Sequence, residues 1–303
     1  MEQKSDKIGM LYAVFAYVVW GLLPIYWKLV EDVPAGEILA HRIVWSFVFM
    51  IVVVLSMRKW QGLGTEWKRI IKDKKKLISI TLASVVISLN WLVYIWAVNS
   101  EHMLQASLGY YINPLVSILL AIIVLKERLT KSQTVSVILA GVGVLYLTVS
   151  YGVFPWVSLF LAVSFALYGL FKKMVDIPAM YGLTIETLII TPIALIYLFL
   201  IPENSFSVQD ITSMKNLLLI GAGAMTAIPL LLFASGAKRI PLAMVGILQY
   251  IAPTLMLLIG VFIYHETFTR EHLIAFSFIW LALVIYLGSI YRFPMRKMKM
   301  RDR

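Results

Sequence analysis

Along this chain, apolar runs of about 20 residues alternate with short stretches that hold most of the polar and charged positions. Ten such runs can be drawn, at 8–29, 35–57, 77–98, 103–125, 132–150, 153–171, 180–200, 216–236, 241–263 and 273–291. A helix rising 1.5 Å per residue needs about 20 residues to cross the hydrocarbon core of a bilayer. Helix is also the one conformation in which such a run satisfies its own backbone groups away from water. The pattern predicts an all-α polytopic membrane protein with little chain left for a soluble domain. The first run follows the mixed-charge segment Met1–Lys7, and no small-residue cleavage site comes after it, so it reads as a span rather than a signal peptide.

The pattern also repeats. "YINPLVSILLAIIVLKE" (111–127) returns as "YIAPTLMLLIGVFIYHE" (250–266), with Tyr, Ile, Pro and Glu each displaced by 139 residues. A weaker echo links "FAYVVWGLLP" (15–24) with "AVSFALYGLF" (162–171), and Glu37 early in the second run matches Glu186 early in the seventh. The chain divides into halves of five spans, 1–150 and 151–303. Five is odd, so the second half enters the membrane upside down. Inverted repeats around a midplane site are the architecture of many secondary transporters.

Composition agrees, with 61% hydrophobic residues and 14% charged. There are no cysteines, which excludes disulfides and thiolate metal sites. A formal charge of +11 suggests nucleic acid in a soluble protein, but here its distribution decides. With the N-terminus inside, 23 of the 27 Lys and Arg residues fall on inner segments; the outer loops hold only Lys215 and Arg270. That bias places both termini in the cytoplasm, with the protein multi-pass in the cytoplasmic membrane. In the basic loop 58–76, Trp60, Leu63, Trp67, Ile70 and Ile71 recur at helical spacing. This predicts an interfacial helix on the anionic leaflet, or else a plain basic loop with tryptophan anchors.

"EILAHRIVWS" (37–46), "LNWLVYIWAVN" (89–99), "QASLGYYINPL" (105–115), "LKERLT" (125–130), "SFALYGLFKK" (164–173) and "IETLIITPIALIYL" (185–198) resemble the RarD-type branch of the EamA family, within the drug/metabolite transporter superfamily. The resemblance covers almost the whole chain. It implies ten transmembrane helices in two inverted five-helix repeats, around a central cavity reached alternately from each side.

Polar side chains inside a span are costly and mark candidate sites. Glu37 and His41 lie four apart on one helix face and form a possible protonatable pair; Arg42 points elsewhere and suits an anionic substrate group. The alternative for all three is a structural ion pair near the outer surface. Glu186, followed by Thr187, Thr191 and the kinking Pro192, is a third candidate for proton coupling, or for substrate binding. Asn90, Trp91 and Tyr94 are placed around a pocket with Trp20, Tyr110, Tyr111, Asn113, Tyr168, Gln249 and Tyr250. Such a lining suits a small organic molecule with one or two polar groups, although aromatics also simply pack between helices. Pro114 and Pro253 are expected to bend their helices, and Glu127 and Glu266 to cap or tie loops. "TKSQ" (130–133) has capping-box form. Small residues in "ILAGVGVLY" (138–146), "GAGAMTA" (221–227) and "ASGA" (234–237) predict close helix packing.

No Gly-Lys dipeptide exists, hence no P-loop; no second histidine completes a zinc-protease motif after His265-Glu266; no Gly-x-Ser-x-Gly elbow is present. No cofactor or metal is implied, nor a nucleic-acid partner; the expected partners are a small-molecule substrate and membrane lipid. The reading is a secondary transporter of a small organic metabolite or drug-like molecule, working by alternating access, with proton coupling as an option. An integral membrane enzyme or lipid-handling protein is the alternative. A passive channel would need a polar stripe that these spans lack.

Overall fold

The computed structural model describes residues 2–99, 103–152, 156–202, 204–265 and 268–299. The helices in chain order are α1 (Glu2–Lys28), α2 (Ala35–Ser56), α3 (Trp60–Lys72), α4 (Lys74–Asn99), α5 (Met103–Ile123), α6 (Lys131–Tyr151), α7 (Trp156–Met174), α8 (Ala179–Leu200), α9 (Met214–Ala237), α10 (Leu242–Leu248), α11 (Ile251–Phe262) and α12 (Arg270–Lys299). Among the described residues, nine helical segments are long and apolar enough to cross a membrane, with α10 and α11 together forming one of them. The shorter apolar stretch Leu108–Ile123 within α5 makes a tenth.

The contacts follow the repeat. Exchanging α1, α2, α4, α5 and α6 for α7, α8, α9, α10–α11 and α12 turns each major helix pair into another that is present. The α1·α9 and α1·α11 pairs become α7·α4 and α7·α5, while α2·α8, α6·α12 and α5·α10 map onto themselves. Loop geometry repeats as well. Lys126 and His265, 139 residues apart, both take left-handed φ, 55° and 56°. Thr130 accepts from the Gln133 N–H while the Gln133 side chain takes the Thr130 N–H, closing the expected capping box at the start of α6. Thr269 and His272 hold the same relation before α12.

Proline sets a difference between the halves. Pro253 cannot supply the N–H that the Gln249 carbonyl would accept in a regular helix. The chain there tightens into a 3-10 turn, with Gln249 N–H donating to Gly246, Tyr250 N–H to Ile247 and Ala252 N–H to Gln249. This turn separates α10 from α11. Pro114, its repeat mate, lies in the middle of a continuous α5, neither in a loop nor at a cap. Its carbonyl faces Gly246, where an added Cβ would sit 2.9 Å away.

The basic loop forms the helix α3, but its apolar face does not simply rest on lipid. Leu63, Trp67 and Ile70 pack against Ile80, Ile177 and Ile185 of the bundle, leaving Trp60 and Ile71 exposed. Elsewhere the bundle presents a girdle of exposed apolar side chains such as Phe199, Phe262, Val149 and Val284, as a bilayer-embedded surface requires.

Candidate functional site

Two helices that begin alike carry the charges. Pro34 before α2 and Pro178 before α8 share nearly the same dihedrals, −54°/134° and −53°/136°. Counting from these prolines, Arg42 and Glu186 are each the eighth residue of their helix. Glu37 is only the third, about 7.5 Å short of the position equivalent to Glu186. The sequence match of Glu37 with Glu186 is thus corrected: the repeat places opposite charges, Arg42 and Glu186, at corresponding depths from opposite ends.

Arg42 lies between two tryptophans. Its guanidinium carbon is 4.6 Å from the Trp27 ring centroid and 4.9 Å from that of Trp91. Nε donates to Thr226 Oγ1 at 3.0 Å, and among the described residues no carboxylate reaches it as an ion-pair partner. The rings of Tyr94 and Tyr110 meet edge to face at 5.8 Å, and their hydroxyls share a hydrogen bond close enough to the guanidinium to feel its charge. These two tyrosines also wall a small cavity of about 20 Å³ with Asn90, Asn113, Gly109, Leu161 and Phe165. Asn90 spends its amide hydrogens on α7, donating to the Leu161 carbonyl at 2.9 Å and to Ser164 Oγ at 2.8 Å. Asn113 Oδ1 is buried without a partner among the described residues and is the open polar group of this chamber.

A second, central cavity, narrow at about 20 Å³, lies among α2, α4, α7, α8 and α9. Trp91 and Thr226, both touching Arg42, form part of its wall, with Ser46, Ser84, Ser88, Tyr168, Glu186 and Thr187. Glu186 is 5% exposed and accepts from Lys172 Nζ at 2.7 Å and from the Tyr168 hydroxyl at 3.4 Å. Lys172, itself 5% exposed, also rides 5.5 Å over the Tyr168 ring. Along the sequence, Lys172 and Lys173 fall just past the run 153–171 and count together among the inner-segment charges. In the structure α7 extends to Met174, and the two lysines part. Lys172 turns into the bundle four residues after Tyr168, on the same face, while Lys173 donates to the carbonyls of Ala237 and Ile240 at the end of α9.

Glu37 and His41 stand apart from both chambers. Glu37 accepts from the Ser205 N–H at 2.6 Å and the Ser205 hydroxyl at 2.9 Å, so the loop after α8 occupies its carboxylate. His41 stays 3.7 Å from Glu37 and packs on the Phe206 ring. Glu127 accepts from the N–H groups of Leu242 and Ala243 at 2.7 and 3.0 Å, across the start of α10. Glu266 lies outside the described residues. Trp20 and Tyr168 both pack against Phe233, at 5.6 and 5.9 Å. Tyr111 packs edge-on against Phe276 of α12, away from the chambers. Gln249 and Tyr250 are buried at the 3-10 turn, where the Tyr250 hydroxyl has no partner among the described residues.

The profile of the EamA-like transporter family matches this sequence twice, over residues 7–149 and 155–288. The chain belongs to the EamA-like transporter family. The two matched segments coincide with the two structural repeats. The uncharacterized transporter YojE of Bacillus subtilis is 52% identical over 95% of this chain and 96% of its own length. Protein RarD of Escherichia coli is 46% identical over 96% and 98%. A Pseudomonas aeruginosa protein described as chloramphenicol-sensitive protein RarD is 30% identical over 91% and 92%. A solved crystal structure, 17% identical, superposes with a TM-score of 0.70 over 92% of this chain and 96% of that one, and so shares the fold. This EamA protein is therefore a multi-pass membrane transporter of the RarD type, and Arg42, the two chambers and the Lys172–Glu186 pair sit where its repeats meet.

Proposed function

We propose that the protein is a secondary transporter that carries a small organic anion across the cytoplasmic membrane by alternating access. The observation that supports this is Arg42: a guanidinium held between two indole faces, beside two chambers, with no carboxylate partner. The tryptophans supply cation–π attraction of up to about 2 kcal/mol when desolvated, and they leave the guanidinium edge free for an oxyanion. Asn113 and the Tyr94–Tyr110 pair provide the remaining polar contacts. With both termini cytoplasmic, Arg42 belongs to the outer half and Glu186 to the inner half. Glu186, alone of the proton-coupling candidates in lining the central cavity, is the group whose protonation would release Lys172.

Thermal unfolding of detergent-purified protein against a library of organic anions tests this. A guest at 100 times its Kd should stabilise the wild type by about 2.7 kcal/mol. Arg42→Ala should abolish the shift, and a shift retained in Arg42→Ala would remove the arginine from the site.

One observation favours a second reading. An apolar groove of about 310 Å³ runs between α2, α4 and α8, and shares Ile43, Ser88 and Ile190 with the central cavity. A substrate with an acyl tail could reach the cavity sideways from the bilayer. Stabilisation by lipid-like amphiphiles and by no small anion would select that reading.

A further inference from the structure

On the side of Glu186 away from the central cavity lies another small chamber, of about 20 Å³, lined from the start of α4, the ends of α7 and α9 and the first turns of α8. Its wall holds two lysines and one carboxylate: Lys172, Lys238 and Glu186, with Ser79, Phe171 and Gly182 between them. Lys172 is engaged by Glu186. Lys238, just past the end of α9, donates to the Val175 carbonyl at 3.1 Å and pairs directly with no carboxylate among the described residues. Burial and the neighbouring Lys172 ammonium push Lys238 down to about 8, against the smaller pull of Asp176, Glu186 and Glu66. Of these, Asp176 and Glu66 are already drawn onto Arg69 of α3, and Asp176 faces open solvent. From α7, the Tyr168 hydroxyl also faces Glu186. The wall is left with one cation more than it has anions to neutralise, in a site where solvent screening is weak.

We infer that this vestibule is an anion-binding site, which takes the oxyanion group of a small organic acid between Lys172 and Lys238. An oxyanion beside Lys172 competes with Glu186 for the same ammonium. Entry of the anion therefore loosens the ion pair that separates the vestibule from the central cavity. Glu186 lines both chambers, so it is the shared wall that such a guest would open. The vestibule and Arg42 then form two cationic stations, one on each side of that wall. The guest's identity as the transported substrate rests on the reading of Arg42 given above; the anion site itself does not.

The absence of cysteine makes the test direct. Ser79→Cys places one thiol in the vestibule wall, and Thr65→Cys places one on the exposed face of α3 within the same basic region. Full-length detergent-purified variants are reacted with sulfonatoethyl methanethiosulfonate and with its trimethylammonium analogue. The ratio of the two rates cancels the thiol's own reactivity. The sulfonate is expected to be favoured about tenfold more at Ser79→Cys than at Thr65→Cys, the low end of what a charged cleft achieves. Lys238→Gln should remove most of that excess without altering the Thr65→Cys ratio. In the parent background the excess should fade as pH rises from 7 to 9, because Lys238 loses its charge through about 8, and it should stay flat in Lys238→Gln. Equal ratios at the two positions, an excess untouched by Lys238→Gln, or no reaction of Ser79→Cys with either reagent would each overturn the site. None of these readings involves Arg42, so failure here is distinct from failure of the transport reading.

Discussion

Lys172 and Glu186 form the residue-scale commitment of this fold, because each is 5% exposed and each is the other's counter-charge. Removing one member strands the other in a low dielectric, at a cost of about 3–5 kcal/mol. Lys172→Met and Glu186→Gln should therefore each lower stability by that amount in thermal unfolding. The double variant should recover most of the loss, and an additive double variant would show that the two side chains act separately. Arg42 and Glu186 stood out in the sequence because a charge inside an apolar run is costly, although a structural ion pair was the alternative for Arg42. Lys172 did not, because a lysine at the end of a run, beside a second lysine, reads as topology. Its four-residue spacing from Tyr168 was the signal available. Glu37 was legible as intramembrane, but its partner, Ser205, sits in a loop with no periodicity to place it.

At the scale of elements, the small-residue runs separate into tight and open contacts. Gly223 of α9 lies against the backbone of α2, where an added Cβ would come 2.2 Å from the Trp45 carbonyl carbon. Backbone cannot yield as a side-chain tip does, so Gly223→Ala should cost at least about 2 kcal/mol. Gly141 has nothing within 4 Å of its added Cβ, and Gly141→Ala should be neutral or stabilising by up to about 1 kcal/mol. Melting temperatures of the two variants, side by side, check the contrast. Glu127→Gln weakens the carboxylate's hold on the α10 N–H groups and should cost about 1 kcal/mol by the same measurement. The helices of the apolar runs and the capping box at Thr130 followed from spacing, and α3 was one of the two readings it allowed for the basic loop. What spacing left open was which faces meet. The α3 helix shows why: an apolar stripe fits a lipid surface and a protein surface equally well until its neighbours are placed.

At the scale of the whole molecule, the repeat carries nearly all of the architecture, and one departure from it carries a consequence. The 3-10 turn at Gln249–Tyr250 has no counterpart at Tyr110–Tyr111, although both sites precede a proline three residues on. In the proposed cycle, the opposite-facing state is the one in which the halves trade conformations, so that α5 acquires the turn and α10–α11 straightens. What one half gains the other gives up. The two states would then differ in free energy by no more than the difference between two similar hinges, a gap small enough for a modest ligand to overturn. The residues that set that gap are the mismatched ones, and the nearest mismatch is Tyr110 against Gln249. A molecule built this way needs no large conformational driving force. It behaves as a balance whose pans were cast from one mould, and a single unlike side chain decides which way it rests.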